Sequence, residues 1–243
     1  MKAGKIAFFA VAALLAVLSA ASQIALRRAS PVAAPAAAEG LLAALGGLRS
    51  IVSEAIWMRA DRLQREGQFV ELAQLASTLT KLEPHEPEVW SFAAWNLAYN
   101  ICAMMPSDED RWRWVLAGIR LLRDDGIRLN PEAGELYREL AWHFELKFIK
   151  NVDHAYMLYR EKWRELVEDV SRRGAWSELG MTREKMDEIE KRYGVGEWTS
   201  PFASAIYWAH FGLPYATPQD AAFMREIIRQ CVVIHKRDYA TRK

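Results

Sequence analysis

Five histidines, two cysteines and 31 carboxylates are the side chains of this 243-residue chain that could carry acid–base, nucleophilic or metal chemistry. Their spacing argues against all three. His85, His143, His154, His210 and His235 are scattered. His143 and Glu145 lie two apart on a predicted helix and so face different ways, which leaves them and His154 a poor metal set. Cys102 and Cys231 are far apart, with no CxxC spacing, and read as two buried thiols, with a disulfide between them left open. Asp124 and Asp125 fit a solvated face, and Gly134 and Glu135 fit a first helical turn. GxxxxGK[ST], GxSxG and HExxH are all absent. The chain is therefore expected to be non-enzymatic, with no catalytic residue, no metal and no cofactor. What remains is recognition. In the sequence WNLAYN, Trp95 and Tyr99 are four apart, as are Asn96 and Asn100, so one helix would show an aromatic strip beside an amide strip. Such a surface can stack on apolar side chains while its amides bond an extended peptide backbone. The alternative is that the aromatics pack neighbouring helices and the asparagines bond loop carbonyls.

The elements that would position these residues are helical. No segment shows the period-two alternation of a sheet, apart from short runs such as CVVI, so the expected fold class is all α. A net charge of +1 gives no basic surface for nucleic acid and no acidic tract. The N-terminus is different. Lys2 and Lys5 precede an uncharged run over 6–26, closed by Arg27 and Arg28. About 20 apolar residues can span a bilayer core, so residues 1–28 read as a membrane anchor. Cleavage after Ala21, with Ser19, Ala20 and Ala21 as the small-residue site, is the alternative. Residues 29–40 are an Ala/Pro-rich linker, and a helical domain is expected over 41–243.

Within that domain, Ile56 to Trp90 reads IWMRADRLQREGQFVELAQLASTLTKLEPHEPEVW. A predicted helix from Arg49 to Glu66, after a break at Gly46 and Gly47, is followed by one from Val70 to Leu82. Ala60 is small where two helices would touch, Gly67 can take a positive φ, Phe69 can staple the second helix and Pro84 ends it. These landmarks resemble a tetratricopeptide (TPR) repeat, a helical hairpin of roughly 34 residues. Trp90 and Ala94 continue the pattern. The next closing proline, Pro131, comes 47 residues after Pro84 (131 − 84). It follows a long predicted helix that starts with Ser107 as cap and buries Trp112, Val115, Leu116, Ile119, Leu122 and Ile127. Tyr137, Ala141 and Phe144 open a third unit, with its partner helix over Val152 to Val170. Residues 171–200 depart from the pattern, apart from a helix over Arg183 to Tyr193 capped by Thr182. A fourth hairpin runs from Pro201 to Phe211 and on from Thr217 and Pro218, with Ala222, Phe223, Ile227, Cys231 and Ile234 along one side of its last helix.

The resemblance implies a TPR-like superhelix whose first helices line a concave groove. It places Trp57 and Asp61 in that groove from the first unit, Trp95 and Tyr99 from the second, and Arg138 and Trp142 from the third, with Asn96 and Asn100 beside the second set. Arg138 would meet a carboxylate. With the anchor, the expectation is a single-pass bacterial inner-membrane protein with its repeat domain outside the cytoplasm, or a periplasmic protein if the leader is cleaved. Its function would be that of an adaptor or assembly factor binding a protein or peptide partner in the cell envelope. The alternative is a structural accessory subunit of a membrane complex, held by its N-terminal helix through small residues such as Ala13 and Ala16.

Overall fold

The structure, a computed structural model, describes the backbone of residues 36–150 and 152–240 and the side chains of 51–150 and 152–238. The run over 6–26, and the anchor or signal reading placed on it, lie outside the described residues. Among those described, no helix is long and apolar enough to cross a membrane, and no strand occurs. The chain divides into two compact units, one ending at Arg62 and one running from Leu63 to Lys243.

Nine helices are described. The first, α1 (Ala36–Arg65), continues through Gly46 and Gly47, where the sequence suggests a break, and takes in the end of the Ala/Pro-rich stretch. Glycine inside a helix costs only about 1 kcal/mol relative to alanine, and the alanines and leucines around the pair are good helix formers. In the second unit the chain turns at Gly67, whose φ of 69° is the left-handed conformation that glycine adopts without strain. Gln68 N–H bonds the Leu63 carbonyl and Gly67 N–H that of Gln64, which satisfies the carbonyls left over at the helix end. Helix α2 (Phe69–Leu82) then buries Leu72, Ala76, Leu79 and Thr80.

Helix α3 covers 87–104. Its first turn has Pro87 where no intrahelical donor is needed, and its middle, Asn96–Ile101, is π-helical, with Cys102 N–H reaching back to the Leu97 carbonyl. Helix α4 covers 108–127. Ser107 caps it by accepting from Asp110 N–H at 3.1 Å, and Leu121–Ile127 is a second π-helical stretch. The two helices meet along a seam where α4 presents two glycines. A Cβ on Gly118 would stand 2.8 Å from the Ala94 carbonyl oxygen and 3.1 Å from the Ala98 Cβ, and one on Gly126 would stand 3.2 Å from the Trp90 Cβ. Of the apolar stripe predicted for α4, only Leu116 is not fully buried.

Two helix starts repeat in detail. The Trp90 indole donates to the Pro84 carbonyl at 2.9 Å, and the Tyr137 hydroxyl donates to the Pro131 carbonyl at 2.9 Å. In both, an aromatic six residues past the proline closes the turn. Asn130 also bonds the Pro84 carbonyl, at 2.9 Å, and so links the two turns. Helix α5 (Gly134–Leu146) follows the second of them and packs most extensively against α8 (Pro201–Gly212), which is buried along nearly its whole length. Helix α6 (Tyr156–Arg173) runs nearer to α4 and α8 than to α5. It meets α5 and the turn after it through rings, Phe144 on Trp163 at 4.8 Å and Phe148 on Tyr159 at 6.4 Å. The third hairpin is thus wedged open, because interaxial distance follows the size of the side chains at the contact.

Helix α7 (Arg183–Tyr193) has Thr182 as its cap. The last helix, α9 (Pro218–Ala240), starts from Thr217, whose hydroxyl accepts from Asp220 N–H. Its buried stripe is Ala221, Met224, Ile227, Ile228, Cys231 and His235. Ile227 and Cys231 are buried as read from the sequence, but Ala222 and Phe223 are exposed and Ala221 and Met224 take their places in the first turns. Met224 fixes this register, since its methyl fills the space beside Gly212.

The seam carries a direct prediction. Gly118→Ala forces the α3 backbone away from α4 and should lower the unfolding free energy by about 1–3 kcal/mol, read as a fall in the urea midpoint at unchanged slope. An unchanged midpoint would mean that the two backbones are not in contact.

Candidate functional site

The aromatic strip of α3 and the matching turn of α5 come together. Trp95 and Tyr99 lie near-parallel, with ring centroids 5.7 Å apart, and Tyr99 and Trp142 likewise at 5.6 Å. Three rings from two helices therefore form one offset ladder, and each keeps part of its surface exposed. His143 presents its edge to Tyr99 at 5.2 Å. The amide strip has a different role. Asn96 is fully buried, donates to the Phe69 carbonyl at 3.3 Å and accepts from Asn100 at 2.9 Å. It ties α3 to the start of α2 and has no surface left to offer a peptide. Asn100 keeps partial exposure.

Arg138 is engaged inside the fold. Its Nε is 3.0 Å from Asp220 Oδ1 and its Nη2 is 3.8 Å from Glu139 Oε2, so the carboxylates it meets are the chain's own. Trp57 and Asp61 lie on α1 in the first unit, Trp57 half-buried and Asp61 exposed. His154 pairs with Asp108 at 2.9 Å, away from His143. Among the described residues no group of three or more His, Cys, Asp or Glu could hold a metal ion. Both cysteines are free and buried.

Behind the ladder lie charges that sequence reasoning missed. Lys147 and Asp153, 3% and 8% exposed, form an ion pair at 2.8 Å. Asp153 also accepts from the Tyr159 hydroxyl at 3.1 Å, from Ala155 N–H at 3.1 Å and from Arg111 at 3.4 Å. Lys147 Nζ stands 4.8 Å from the centre of the Tyr99 ring, which joins the ion pair to the ladder. The signal was present in FELKFIK: Lys147 follows Phe144 at i+3, on the face that the stripe of α5 buries. Burial tends to raise the Asp153 pKa, but the bond and charge of Lys147, with Ala155 N–H and Arg111, bring it down to about 2.

Glu139 and His143 form a second buried pair one turn apart. Burial raises the Glu139 carboxyl to about 7, with Arg138 opposing and Glu135 adding to the shift. Burial lowers His143 to about 4, against its 2.8 Å bond to the Glu139 carbonyl. Since a carbonyl only accepts, His143 Nδ1 carries the proton. Tyr99 is raised first by burial and then by the Glu139 charge, and its hydroxyl has no hydrogen-bond partner among the described residues.

Compared with protein-family models, curated proteins and solved structures, the chain gave no match. The likeness to TPR repeats rests on the landmarks in the sequence alone.

Two measurements follow from these charges. Asp153→Asn leaves Lys147 buried without its carboxylate and should cost about 3–5 kcal/mol of stability at neutral pH. In the parent, the depressed Asp153 pKa supplies about 2 kcal/mol above pH 4 that is lost as pH falls toward 2; the variant should lack this acid limb. Glu139 has the opposite sign. Its raised pKa gives stability present below about pH 4.5 and lost as pH rises through 7. Glu139→Gln should therefore gain on the parent with rising pH, by about 3 kcal/mol between pH 4.5 and 8 in urea titrations. A gap that stays constant with pH would show that Glu139 is ordinarily ionised.

Proposed function

We propose that this chain is a non-enzymatic, membrane-tethered, TPR-like adaptor or assembly factor of the bacterial cell envelope. In this reading residues 6–26 anchor it in the inner membrane, and the helical domain outside the cytoplasm binds a protein or peptide partner across α3 and α5. The observation that carries it is the ladder of Trp95, Tyr99 and Trp142, partly exposed, shared by two helices and backed by a buried cation. Aromatic side chains of this kind anchor protein interfaces, because they bury large areas at little cost in rotamer entropy. The repeated tethers at Pro84 and Pro131 support the reading, since they start both helices in the same way. An anchor would hold the face near membrane partners and raise its effective concentration for them.

The test uses the full chain in its own membranes. Partners are cross-linked and identified for the parent, for Trp95→Ala and Trp142→Ala, and for Arg113→Ala, whose side chain is 77% exposed on α4. A Trp at the centre of an interface is worth 2 kcal/mol or more, so yields from the first two should fall at least about tenfold, with Arg113→Ala unchanged. A partner retained in full by both tryptophan variants, but lost when Ala13 and Ala16 are made bulky, would replace the adaptor with the accessory-subunit reading.

A further inference from the structure

The cluster around Asp153 also brings a thiol to an amine. Cys102, at the end of α3, is fully buried, and its Sγ lies 3.8 Å from Lys147 Nζ at the end of α5. The same sulfur is 3.8 Å from Asp153 Oδ2 and 3.4 Å from the Tyr159 hydroxyl. No second cysteine is needed to cross-link such a site. We propose that Cys102 and Lys147 form a reversible covalent S–O–N bridge under peroxide, a redox-sensitive clasp between α3 and α5 whose formation does not require the binding function proposed above.

The geometry supplies what the chemistry requires. One oxygen atom inserted between Sγ and Nζ joins them with a small swing of the flexible lysine stem. A first hydrogen peroxide transfers oxygen to the Cys102 thiol, giving the sulfenic acid and one water. Lys147 releases its ammonium proton to solvent, leaving Asp153 ionised 2.8 Å away, and a second peroxide oxidises the free amine to a hydroxylamine, releasing another water. The hydroxylamine oxygen then attacks the sulfenic sulfur. The S–OH bond breaks, hydroxide leaves with the hydroxylamine proton as a third water, and the S–O–N link remains. Two peroxides are reduced, and the thiol and amine together give up four electrons. Two equivalents of a dithiol reductant, each oxidised to its disulfide, return the four electrons and restore thiol, amine and one water.

The bridge consumes the ammonium group. Asp153 then loses its lysine partner and keeps Tyr159, Arg111 and the Ala155 N–H, with His154 Nδ1 3.8 Å away, and Tyr99 loses the cation over its ring. Oxidation would thus be felt at the aromatic ladder without any oxidant touching it.

The test is a mass measurement on the purified full chain in detergent, before and after hydrogen peroxide. The bridge adds one oxygen and removes two hydrogens, so the intact mass should rise by about 14 Da, where a sulfenic acid adds about 16 Da. Tandem spectra of a digest should show the Cys102 peptide linked to the Lys147 peptide, and dithiothreitol should undo both. Cys231→Ser should bridge as the parent does, and Cys102→Ser should not. Oxo-acids on Cys102 without a linked peptide, or no change in mass at all, overturn the proposal. If Cys102→Ser fails to fold, the linked peptide of the parent decides alone.

Discussion

Burying the ion pair between Lys147 and Asp153 is the constraint around which the larger unit is arranged. Taking two charges out of water costs several kcal/mol per ion, recovered only when the geometry is good and the remaining polar atoms are satisfied. That condition explains the convergence on Asp153. Tyr159 comes from α6, Arg111 from α4, Lys147 from the end of α5 and Ala155 from the turn between α5 and α6. Cys102 adds the end of α3. Four helix segments thus have their positions set by one carboxylate. The wide wedge between α5 and α6 follows, because the loop must descend into the core to deliver Asp153 while Phe144, Phe148, Trp163 and Tyr159 fill the space around it.

The opposite solution holds where α3 and α4 approach through glycines. Gly118 and Gly126 let Ala94, Ala98 and Trp90 come against the α4 backbone. Both helices carry π-helical stretches beside this seam. A π-turn holds one more residue than an α-turn and so rotates the face that follows it. In α3 this stretch contains both Asn96 and Tyr99. It holds the amide on the Phe69 carbonyl while Tyr99 meets Trp142, two contacts made from one turn of helix.

The all-α class, the caps at Ser107, Thr182 and Thr217, and the helix over Arg183–Tyr193 were legible because each depends on neighbours within a few residues. The prolines 47 residues apart were legible as spacing, but their tethers were not, since a hydrogen bond from Trp90 to Pro84 leaves no periodic mark. Gly46 and Gly47 misled, because a local penalty of about 1 kcal/mol per glycine is small beside the helix propensity of the alanines and leucines on both sides. Only the start of α9 misled: Ala222 and Ala221 are alike in sequence, and the space beside Gly212 chooses between them through Met224, while Ile227 and Cys231 are buried as read. On the site, the strip of Trp95 and Tyr99 followed from helical spacing, while Trp142 entered only through the resemblance to TPR repeats and its stacking on Tyr99 left no mark in the sequence. Arg138 and Asn96 instead satisfy partners inside the fold, supplied by residues distant in sequence such as Asp220 and Phe69.

The ladder and the ion pair are one object mechanically. Tyr99 touches Trp95 and Trp142 by ring contact, His143 by its edge, and Lys147 by charge, and Lys147 is held at 2.8 Å by Asp153. An aromatic surface supported only by apolar packing can repack, since rings slide at little cost. One pinned by a buried cation cannot move far without stretching the ion pair, whose strength falls with distance in a low-dielectric interior. A surface held in this way loses less conformational entropy when something binds to it, which is the advantage of preorganisation. It also ties the surface to the charge state of Lys147, so any change that removes that charge reaches the rings through a contact of 4.8 Å.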